Sequence, residues 1–299
     1  MTEHPSNHVT VLPGETVTPI VELGPRVVVD GTFGGGGHTR RLLPHLPPDG
    51  RVIGLDRDPA VQARFDAAPF DDRVVVFIGS HRQSEQALAS EGFDVADGLI
   101  LDLGLSTDQL NDRSRGFSFQ DDGPLDLRFD PTSGRSAADW LAASDERSIA
   151  DAIYRFGEER HSRRVAREVV RRARSGAPVR TVAAMREVCE RTVPRSKNHR
   201  LHPATRTFQA LRIVVNDELT HVADTLRDAA GWIRPGGVAS VISFHSLEDR
   251  IVKRAFADDP RWEVITRKPI TPSEAEIAAN PRSRSAKLRI ARVRSSFSA

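Results

Sequence analysis

Three aspartates, Asp30, Asp56 and Asp102, stand where apolar and largely β-branched runs of the sequence end. Four consecutive glycines, Gly34 to Gly37, follow the first of them. If these runs are neighbouring parallel strands, their carboxyl ends meet at one crevice, and the three acids converge there beside a loop of accessible backbone. Carboxylates accept hydrogen bonds from hydroxyl and amino groups and attract positive charge. The pattern therefore predicts a binding site for a cationic ligand that carries hydroxyl groups.

The glycine loop discriminates between cofactors. A dinucleotide-binding loop needs a third glycine in G-x-G-x-x-G, and after Gly34 and Gly36 that position is Thr39. An acidic crevice also disfavours a pyrophosphate. We therefore expect S-adenosylmethionine (SAM), with its ribose hydroxyls on Asp56 and its sulfonium near Asp102, because charge-assisted hydrogen bonds contribute about 1.5–3 kcal/mol each. A nicotinamide oxidoreductase remains the alternative.

Strand-like and helical patterns alternate along the first third of the chain, which predicts a parallel sheet covered on both faces. The predicted strands are residues 27–30, 51–56, 73–78, 98–102 and 238–244, and the predicted helices between the first four are 38–46, 60–67 and 84–91. Two last strands, 262–270 and 287–293, lack a crossover helix and should pair antiparallel. This is an α/β, Rossmann-like class I SAM-dependent methyltransferase fold, with a seven-stranded, mostly parallel sheet and a terminal antiparallel hairpin. Asp58, before Pro59, is interpreted as a helix cap.

The alternation stops after Asp102. Residues 111–129 have no period, residues 136–191 are helical, and one long helical pattern covers residues 206–233. We therefore predict a methyltransferase domain of residues 1–110 and 201–299, with an inserted helical domain, residues 111–200.

Composition narrows the choice of function further. The single cysteine, Cys189, excludes a disulfide framework and a cysteine metal cluster. Its position in a helical stretch does not suit the nucleophile of a pyrimidine C5 methylase, and we expect it to be a small buried residue. We expect no metal site. The chain shows no membrane-length apolar run and residues 1–11 lack a signal-peptide pattern, so a cytoplasmic protein is expected.

Basic residues are unevenly placed, although the net charge is only +2. Residues 155–180 hold nine Arg against three Glu, and residues 282–294 hold six Lys or Arg and no acid. Such runs are either solvated faces or contacts to a nucleic-acid backbone. Five arginines of one predicted helix form a candidate RNA clamp: Arg163, Arg164, Arg167, Arg171 and Arg172.

Six motifs in fixed order make the sequence resemble a known family. They are DGTFGGGGH (30–38), LDLGLS (101–106) with Gln109, RGFSF (115–119), FGEER (156–160), HPATRTFQALR (202–212) and ISFHSLEDR (242–250). Over residues 8–293 the chain resembles the RsmH (MraW) family, the bacterial 16S ribosomal RNA cytosine-N4 methyltransferases.

The resemblance implies a SAM-dependent enzyme that methylates the exocyclic N4 of a cytidine in the decoding centre of the small ribosomal subunit. It implies no DNA substrate and no membrane partner. Matched position by position, it implies SAM contacts at Gly36, Gly37, His38, Asp56, Asp102 and Gln109, and at His81, where the family usually has Phe.

The catalytic candidates lie after the fourth and fifth strands. Asp102, or the following loop with Ser106, is expected to accept a hydrogen bond from the cytosine amino group. Phe244 is expected to stack on an extruded base. His245 and Glu248 either hold the Watson–Crick edge of that base or cap the next helix. A non-catalytic ribosome-assembly factor with the same fold is a further alternative.

Overall fold

The computed structural model describes residues 9–194 and 202–295. In this part of the chain seven strands form one sheet, with the order β3-β2-β1-β4-β5-β7-β6. The strands are β1 (Val27–Asp30), β2 (Arg51–Asp56), β3 (Val74–Ile78), β4 (Ala96–Asp102), β5 (Ile233–Ser243), β6 (Trp262–Val264) and β7 (Lys287–Val293). Strands β1 to β5 are parallel, and β7 runs antiparallel to both β5 and β6. The predicted class I methyltransferase fold is confirmed.

Thirteen α-helices connect these strands within the described residues. They are α1 (Pro13–Val21), α2 (Gly37–Leu42), α3 (Pro59–Ala67), α4 (Ser84–Ser90), α5 (Thr107–Asn111), α6 (Ala137–Ala143), α7 (Glu146–Gly157), α8 (Ser162–Arg174), α9 (Val182–Thr192), α10 (Thr205–Asn216), α11 (Glu218–Trp232), α12 (Ser246–Asp258) and α13 (Glu274–Ala279). Short 3₁₀ turns lie at Leu43–His45, His81–Gln83 and Pro281–Ser285. None of the helices in the described residues has both the length and the apolar character needed to cross a bilayer.

The chain divides into two compact units, residues 1–106 with 219–299, and residues 107–218. The predicted boundary at residue 200 lies outside the described residues. The predicted domain bounds place residues 205–216 in the methyltransferase domain. In the structure these residues form α10, which packs on α7 inside the second unit.

Strand β1 lies at the centre of the first unit and all four of its residues are buried. Val29 is paired with Ile53 on one side and with Leu99 on the other. Val27 and Val29 join the apolar core on one face of the sheet, while Val28 joins the core on the opposite face. Because both faces are covered, this strand is a continuous apolar run rather than an alternating one.

The second unit is built from α5 to α10 and irregular segments. Helix α7 packs on α8 and α10, and α8 packs on α9. The buried side chain of Asn216 donates to the Leu127 carbonyl and accepts from the Phe129 backbone N–H, each at 2.7 Å. These bonds tie the aperiodic segment after α5 to the end of α10. Cys189 is buried and free, as predicted.

The single helix predicted over residues 206–233 is wrong. The chain breaks between α10 and α11 at Asp217, whose φ of 49° lies in the left-handed region. An Asp tolerates that conformation better than most residues. Arg212 pairs with Glu218 across the break at 2.8 Å. The apolar period continues through the break, so a pattern of spacing alone could not reveal it.

The predicted strand 262–270 is also too long. Regular pairing ends at Val264, because Ile265 and Thr266 both donate to the carbonyl of Ile290. Pairing returns only at the bridge between Ile270 and Leu288. Residues 267–269 therefore form a bulge at the edge of the sheet.

Candidate active site

The three predicted acids end three adjacent strands, β2, β1 and β4. The chain leaves β1 toward β2 on one side and returns to β4 on the other, so Asp30 and Asp102 lie at the topological switch point of the sheet. Ligands of open α/β sheets bind at this point, outside the carboxyl ends of the strands.

Asp30 is the most deeply buried of the three acids, with 1% exposure. It accepts a hydrogen bond from the Thr39 hydroxyl at 2.7 Å. Burial raises the pKa of Asp30, while the positive charge of His38 and the bond from Thr39 oppose that rise. Asp30 is therefore held in place beneath the site by Thr39, the residue that breaks the dinucleotide pattern and whose bond to Asp30 the sequence did not indicate.

His38 and Asp102 form a buried pair. The imidazole Nε2 lies 3.4 Å from the Asp102 Oδ2, and the two side chains are 5% and 10% exposed. Burial opposes the charge of His38, but the hydrogen bond and the charge of Asp102, with Asp30 nearby, raise the pKa of His38 above its ordinary value. His38, predicted to contact SAM, is thus in position to orient Asp102.

Two buried polar atoms of this pair are without a hydrogen-bond partner among the described residues: Asp102 Oδ1 and His38 Nδ1. A buried polar atom without a partner is costly unless a ligand or water completes it. The Asp102 oxygen is an acceptor only, so it fits a ligand that brings an N–H donor or positive charge. SAM, which carries both an amino group and a positive sulfonium, has this chemistry.

Asp56 is held at the end of β2 by backbone N–H groups. Its two carboxylate oxygens accept from Gly34 at 2.8 Å and from Asp58 at 2.9 Å. Burial raises the pKa of Asp56 to about 6, although both of these hydrogen bonds lower it. Asp58 accepts from the backbone N–H of Ala60 and caps α3, as predicted. The Gly34 contact shows that Asp56 also fixes the start of the glycine loop.

The glycine loop is shaped by this chain's own side chains. Gly36 has a φ of 71°, and a Cβ placed on it would lie 2.7 Å from the ring of Phe70 and 3.1 Å from that of Phe33. A Cβ on Gly37 would meet the hydroxyl of Thr10. The side of each glycine from which a side chain would project is therefore filled by protein. The SAM contacts predicted for these two residues would be made by their backbone atoms. The sequence offered no signal for Phe70, which is 34 residues away.

His81 starts the turn after β3 and is 8% exposed. Its Nδ1 lies 2.6 Å from the Thr225 hydroxyl. Burial lowers the pKa of His81 to about 3, and the positive charges of His221 and Arg57 lower it further. The imidazole is therefore neutral, and its contact with the adenine ring stays a prediction.

The residues after β5 form a helix cap. Glu248 is 1% exposed, and its Oε2 accepts from the backbone N–H groups of Phe244 at 2.9 Å and His245 at 3.3 Å. The His245 Nδ1 accepts in return from the Glu248 N–H at 3.3 Å. This capping box at the start of α12 confirms one of the two predicted roles. Contact of His245 or Glu248 with a substrate base stays a prediction.

Phe244 itself lies partly buried at the carboxyl end of β5. A Cβ on Gly104 would be 3.3 Å from its ring. The loop that follows Asp102 and leads to Ser106 therefore passes directly beside Phe244. Gln109 is buried on α5 in the second unit, and its predicted contact with SAM is untested.

The candidate RNA clamp lies on α8, whose buried face is formed by Ser162, Val165, Ala166 and Val169. Three of its five arginines form ion pairs within the second unit: Arg167 with Glu146, Arg171 with Glu168, and Arg172 with Glu168 and Glu187. Arg163 and Arg164 are exposed and have no such pair among the described residues. The arginines of this helix that are exposed and without an ion pair among the described residues are therefore Arg163, Arg164 and Arg174, and the first two belong to the candidate clamp.

We predict that Gly36→Ala lowers the free energy of unfolding more than Gly24→Ala does. Both glycines have a left-handed φ, so an alanine costs about 1–2 kcal/mol of backbone strain at either position. Only the methyl at position 36 meets an aromatic ring, and such overpacking adds about 1–3 kcal/mol. Urea denaturation of both variants measures the difference, and equal losses would contradict the assigned role of Phe70.

We predict that Asp102→Asn lowers the pKa of His38. Without the carboxylate, burial and the charge of Arg41 disfavour the imidazolium and only Asp30 favours it. In the unmodified protein the raised pKa stabilises the fold fully below the ordinary value of 6.5, and that stabilisation is lost as the pH rises through the folded pKa. Imidazole NMR titration of the two proteins measures the shift. An unchanged His38 titration would show that the pair is not electrostatically coupled.

Comparison with known proteins agrees with this geometry. Residues 5–294 match the MraW methylase family. A protein of Rhodopirellula baltica named "Ribosomal RNA small subunit methyltransferase H" is 55% identical over 297 residues, which cover 96% of this chain and 91% of that protein. A protein of the same name from Sorangium cellulosum is 47% identical, covering 95% and 90%.

A solved rRNA methylase from Streptococcus thermophilus aligns over 98% of this chain and 99% of its own, with a TM-score of 0.44 and 9% identity. The order and direction of the strands, rather than this low score, carry the fold assignment. The predicted family and SAM as its cofactor are confirmed. From the match over residues 5–294 and the identity to full-length relatives, this chain belongs to the MraW methylase family.

Proposed function

We propose that the chain transfers a methyl group from SAM to the exocyclic N4 of a cytidine in the decoding centre of 16S ribosomal RNA. The observation that carries the proposal is the Asp102 carboxylate, which is buried at the switch point, held by His38 and left with one oxygen without a partner among the described residues. The names of the relatives support a small-subunit ribosomal RNA substrate. The reaction on a ribosomal substrate belongs in the cytoplasm.

SAM supplies a methyl group already activated on a positive sulfonium. The residues of this chain bind and orient. Asp56, fixed by two backbone N–H groups, is placed to accept hydrogen bonds from the ribose hydroxyls. Asp30, Asp56 and Asp102 end three neighbouring strands, and an acidic crevice of this kind favours a cation over a pyrophosphate.

Asp102 is also the residue best placed to orient the acceptor. The lone pair of the cytosine amino group is delocalised into the ring, so the nitrogen must be held in a reactive orientation. A hydrogen bond from this amino group to Asp102 Oδ1 would complete the buried oxygen and fix the nitrogen. Positioning of this kind can supply an effective molarity of about 10⁵–10⁸ M. Proton removal by a carboxylate adds about 10²–10⁴-fold, and Ser106 lies on the same loop.

Phe244 is proposed to stack on the target base after it leaves the RNA helix. The hydrogen bond from its backbone N–H to the buried Glu248 fixes this residue, and Gly104 brings the Asp102 loop beside its ring. Base stacking on an aromatic ring contributes about 1–3 kcal/mol. The stack and the carboxylate would therefore act on one base.

The function is tested by methyl transfer to small ribosomal subunits from a strain that lacks the enzyme. We expect Asp102→Asn to reduce the rate by about 10²-fold or more. Asp49→Asn, the same change in an exposed ion pair with Arg26, should leave the rate unchanged. Mass spectrometry of the decoding-centre fragment identifies the product.

A methyl group on another atom of the nucleotide, or on another rRNA segment, would overturn the N4 assignment. Absence of transfer by a protein that binds both SAM and the subunit would favour the non-catalytic assembly factor. Phe244→Ala should weaken RNA binding and leave SAM affinity intact. A fall in SAM affinity would instead show that Phe244 supports the cofactor site.

We predict that Arg163→Glu combined with Arg164→Glu weakens RNA binding and flattens its salt dependence. Each lost phosphate contact reduces the salt slope by about 0.7 for a single strand. The matched control reverses Arg147 and Arg191, which are exposed but already paired with Asp151 and Glu187. Binding of rRNA fragments measured over a salt series gives both slopes. Equal slopes in the two double variants would show that α8 is only a solvated face.

A further inference from the structure

The last part of the first unit is strongly basic. Residues 244–295 hold twelve Lys or Arg against seven Asp or Glu, whereas the whole chain has a net charge of only +2. Several of these cations are neutralised within the fold. Arg289 and Lys287 share Asp249, at 2.7 and 3.3 Å, and Arg261 pairs with Asp259 at 2.6 Å.

The exposed cations of this range that form no ion pair with any described residue include three near the start of β7: Arg267, Lys268 and Arg284. We call them the edge cations. Arg267 and Lys268 lie in the bulge between the Thr266 contact to Ile290 and the bridge of Ile270 to Leu288. Arg284 lies on the 3₁₀ turn Pro281–Ser285, which leads directly into β7.

The edge cations flank the carboxyl end of β5. Strand β7 begins at Lys287, which is paired with Ser243, the residue before Phe244. Because neighbouring strands are about 4.8 Å apart, the bulge beyond β7 lies only about 10 Å from β5. The cations therefore stand beside the residue proposed to stack on the target base.

These side chains are carried on fixed backbone. Ile270 and Leu288 exchange two hydrogen bonds of 2.9 Å, and Pro269 follows the cations directly. In the 3₁₀ turn, the buried Ser283 donates its hydroxyl to the carbonyl of Asn280 at 2.8 Å. Anchored backbone reduces the entropy lost when the cations contact a ligand.

We infer that the edge cations bind the sugar-phosphate backbone of the single-stranded rRNA segment that carries the target base, next to the base that stacks on Phe244. This surface belongs to the methyltransferase unit and is separate from the two arginines of α8. Lys and Arg neutralise phosphates and release counterions, so its effect should appear mainly in the salt dependence of binding. The inference rests on the proposed function.

The test compares two double variants of the full chain. Arg267→Ala with Lys268→Ala removes two edge cations. Arg26→Ala with Arg51→Ala removes two charges at the amino ends of β1 and β2, which is the end of the sheet opposite to the candidate site. Binding of a synthetic single-stranded decoding-centre RNA is measured between about 50 and 200 mM salt, and SAM affinity is measured by calorimetry.

For the edge variant we expect the slope of log K against log[salt] to decrease in magnitude by about 1.4, with SAM affinity unchanged. The control should keep the slope of the unmodified protein. Arg284→Ala should lose about 0.7. An unchanged slope in an edge variant whose SAM affinity is intact would overturn the inference. So would binding to anionic lipid vesicles that depends on the same residues while RNA binding does not.

Different results would contradict the proposed function and the inference about the edge cations. If the unmodified protein neither binds nor methylates the RNA, the proposed function itself is wrong. If the unmodified protein methylates small subunits and the edge variant matches it in rate and salt slope, only the edge surface is wrong.

Discussion

A carboxylate withdrawn from water at the switch point of the sheet is the constraint on which the site depends. Burying a charged group without a partner is costly, and His38 supplies a partner for one oxygen of Asp102. His38 can do so only if α2 begins where it does, since the imidazole lies on the first turn of that helix. The start of α2 in turn follows the left-handed Gly36, which is packed against Phe33 and Phe70. The aromatic rings beside Gly36 thus lie next to the start of the helix that carries the partner of Asp102.

The turn at the carboxyl end of β5 depends on a different buried acid. Glu248 binds the backbone of Phe244 and His245, and so fixes the turn from β5 into α12. The Glu248 carboxylate orients this segment through those two hydrogen bonds, and its contact with a substrate base stays a prediction. The antiparallel strand β7 lies beside β5 and begins at Lys287, which is paired with Ser243, so the 3₁₀ turn before β7 leads to the same end of the sheet. The terminal hairpin thus contributes to the surroundings of the site as well as to the core.

Many charged side chains of the described residues form ion pairs with side chains of the same unit. On α8 the cations that face acids of neighbouring helices stabilise packing within the second unit, and in the first unit Asp249 fixes Arg289 in the same way. A cation that is paired with an acid offers little net charge to a binding partner, although an exposed ion pair contributes little to stability. The cations without a pair are therefore the ones available to a partner. A count of basic residues in the sequence overstates the surface that an RNA would meet. The paired and unpaired cations have to be separated before the electrostatic attraction can be assigned to a surface.

The sequence by itself determined the alternation of the first four strands with helices, the three acids that end strands, the class of ligand and the family. The first three follow from local properties, namely β-branched runs, the period of apolar residues and the failure of the dinucleotide pattern at Thr39, whereas the family follows from the resemblance of six motifs in fixed order. Only the tertiary structure decided that His38 holds Asp102, that Phe70 fills the space beside Gly36, and that α10 ends at Asn216. Each of these is a contact between segments far apart in the chain, and an apolar period carries no information about such partners. For the same reason spacing could group five arginines on one helix, whereas only packing showed which of them are neutralised.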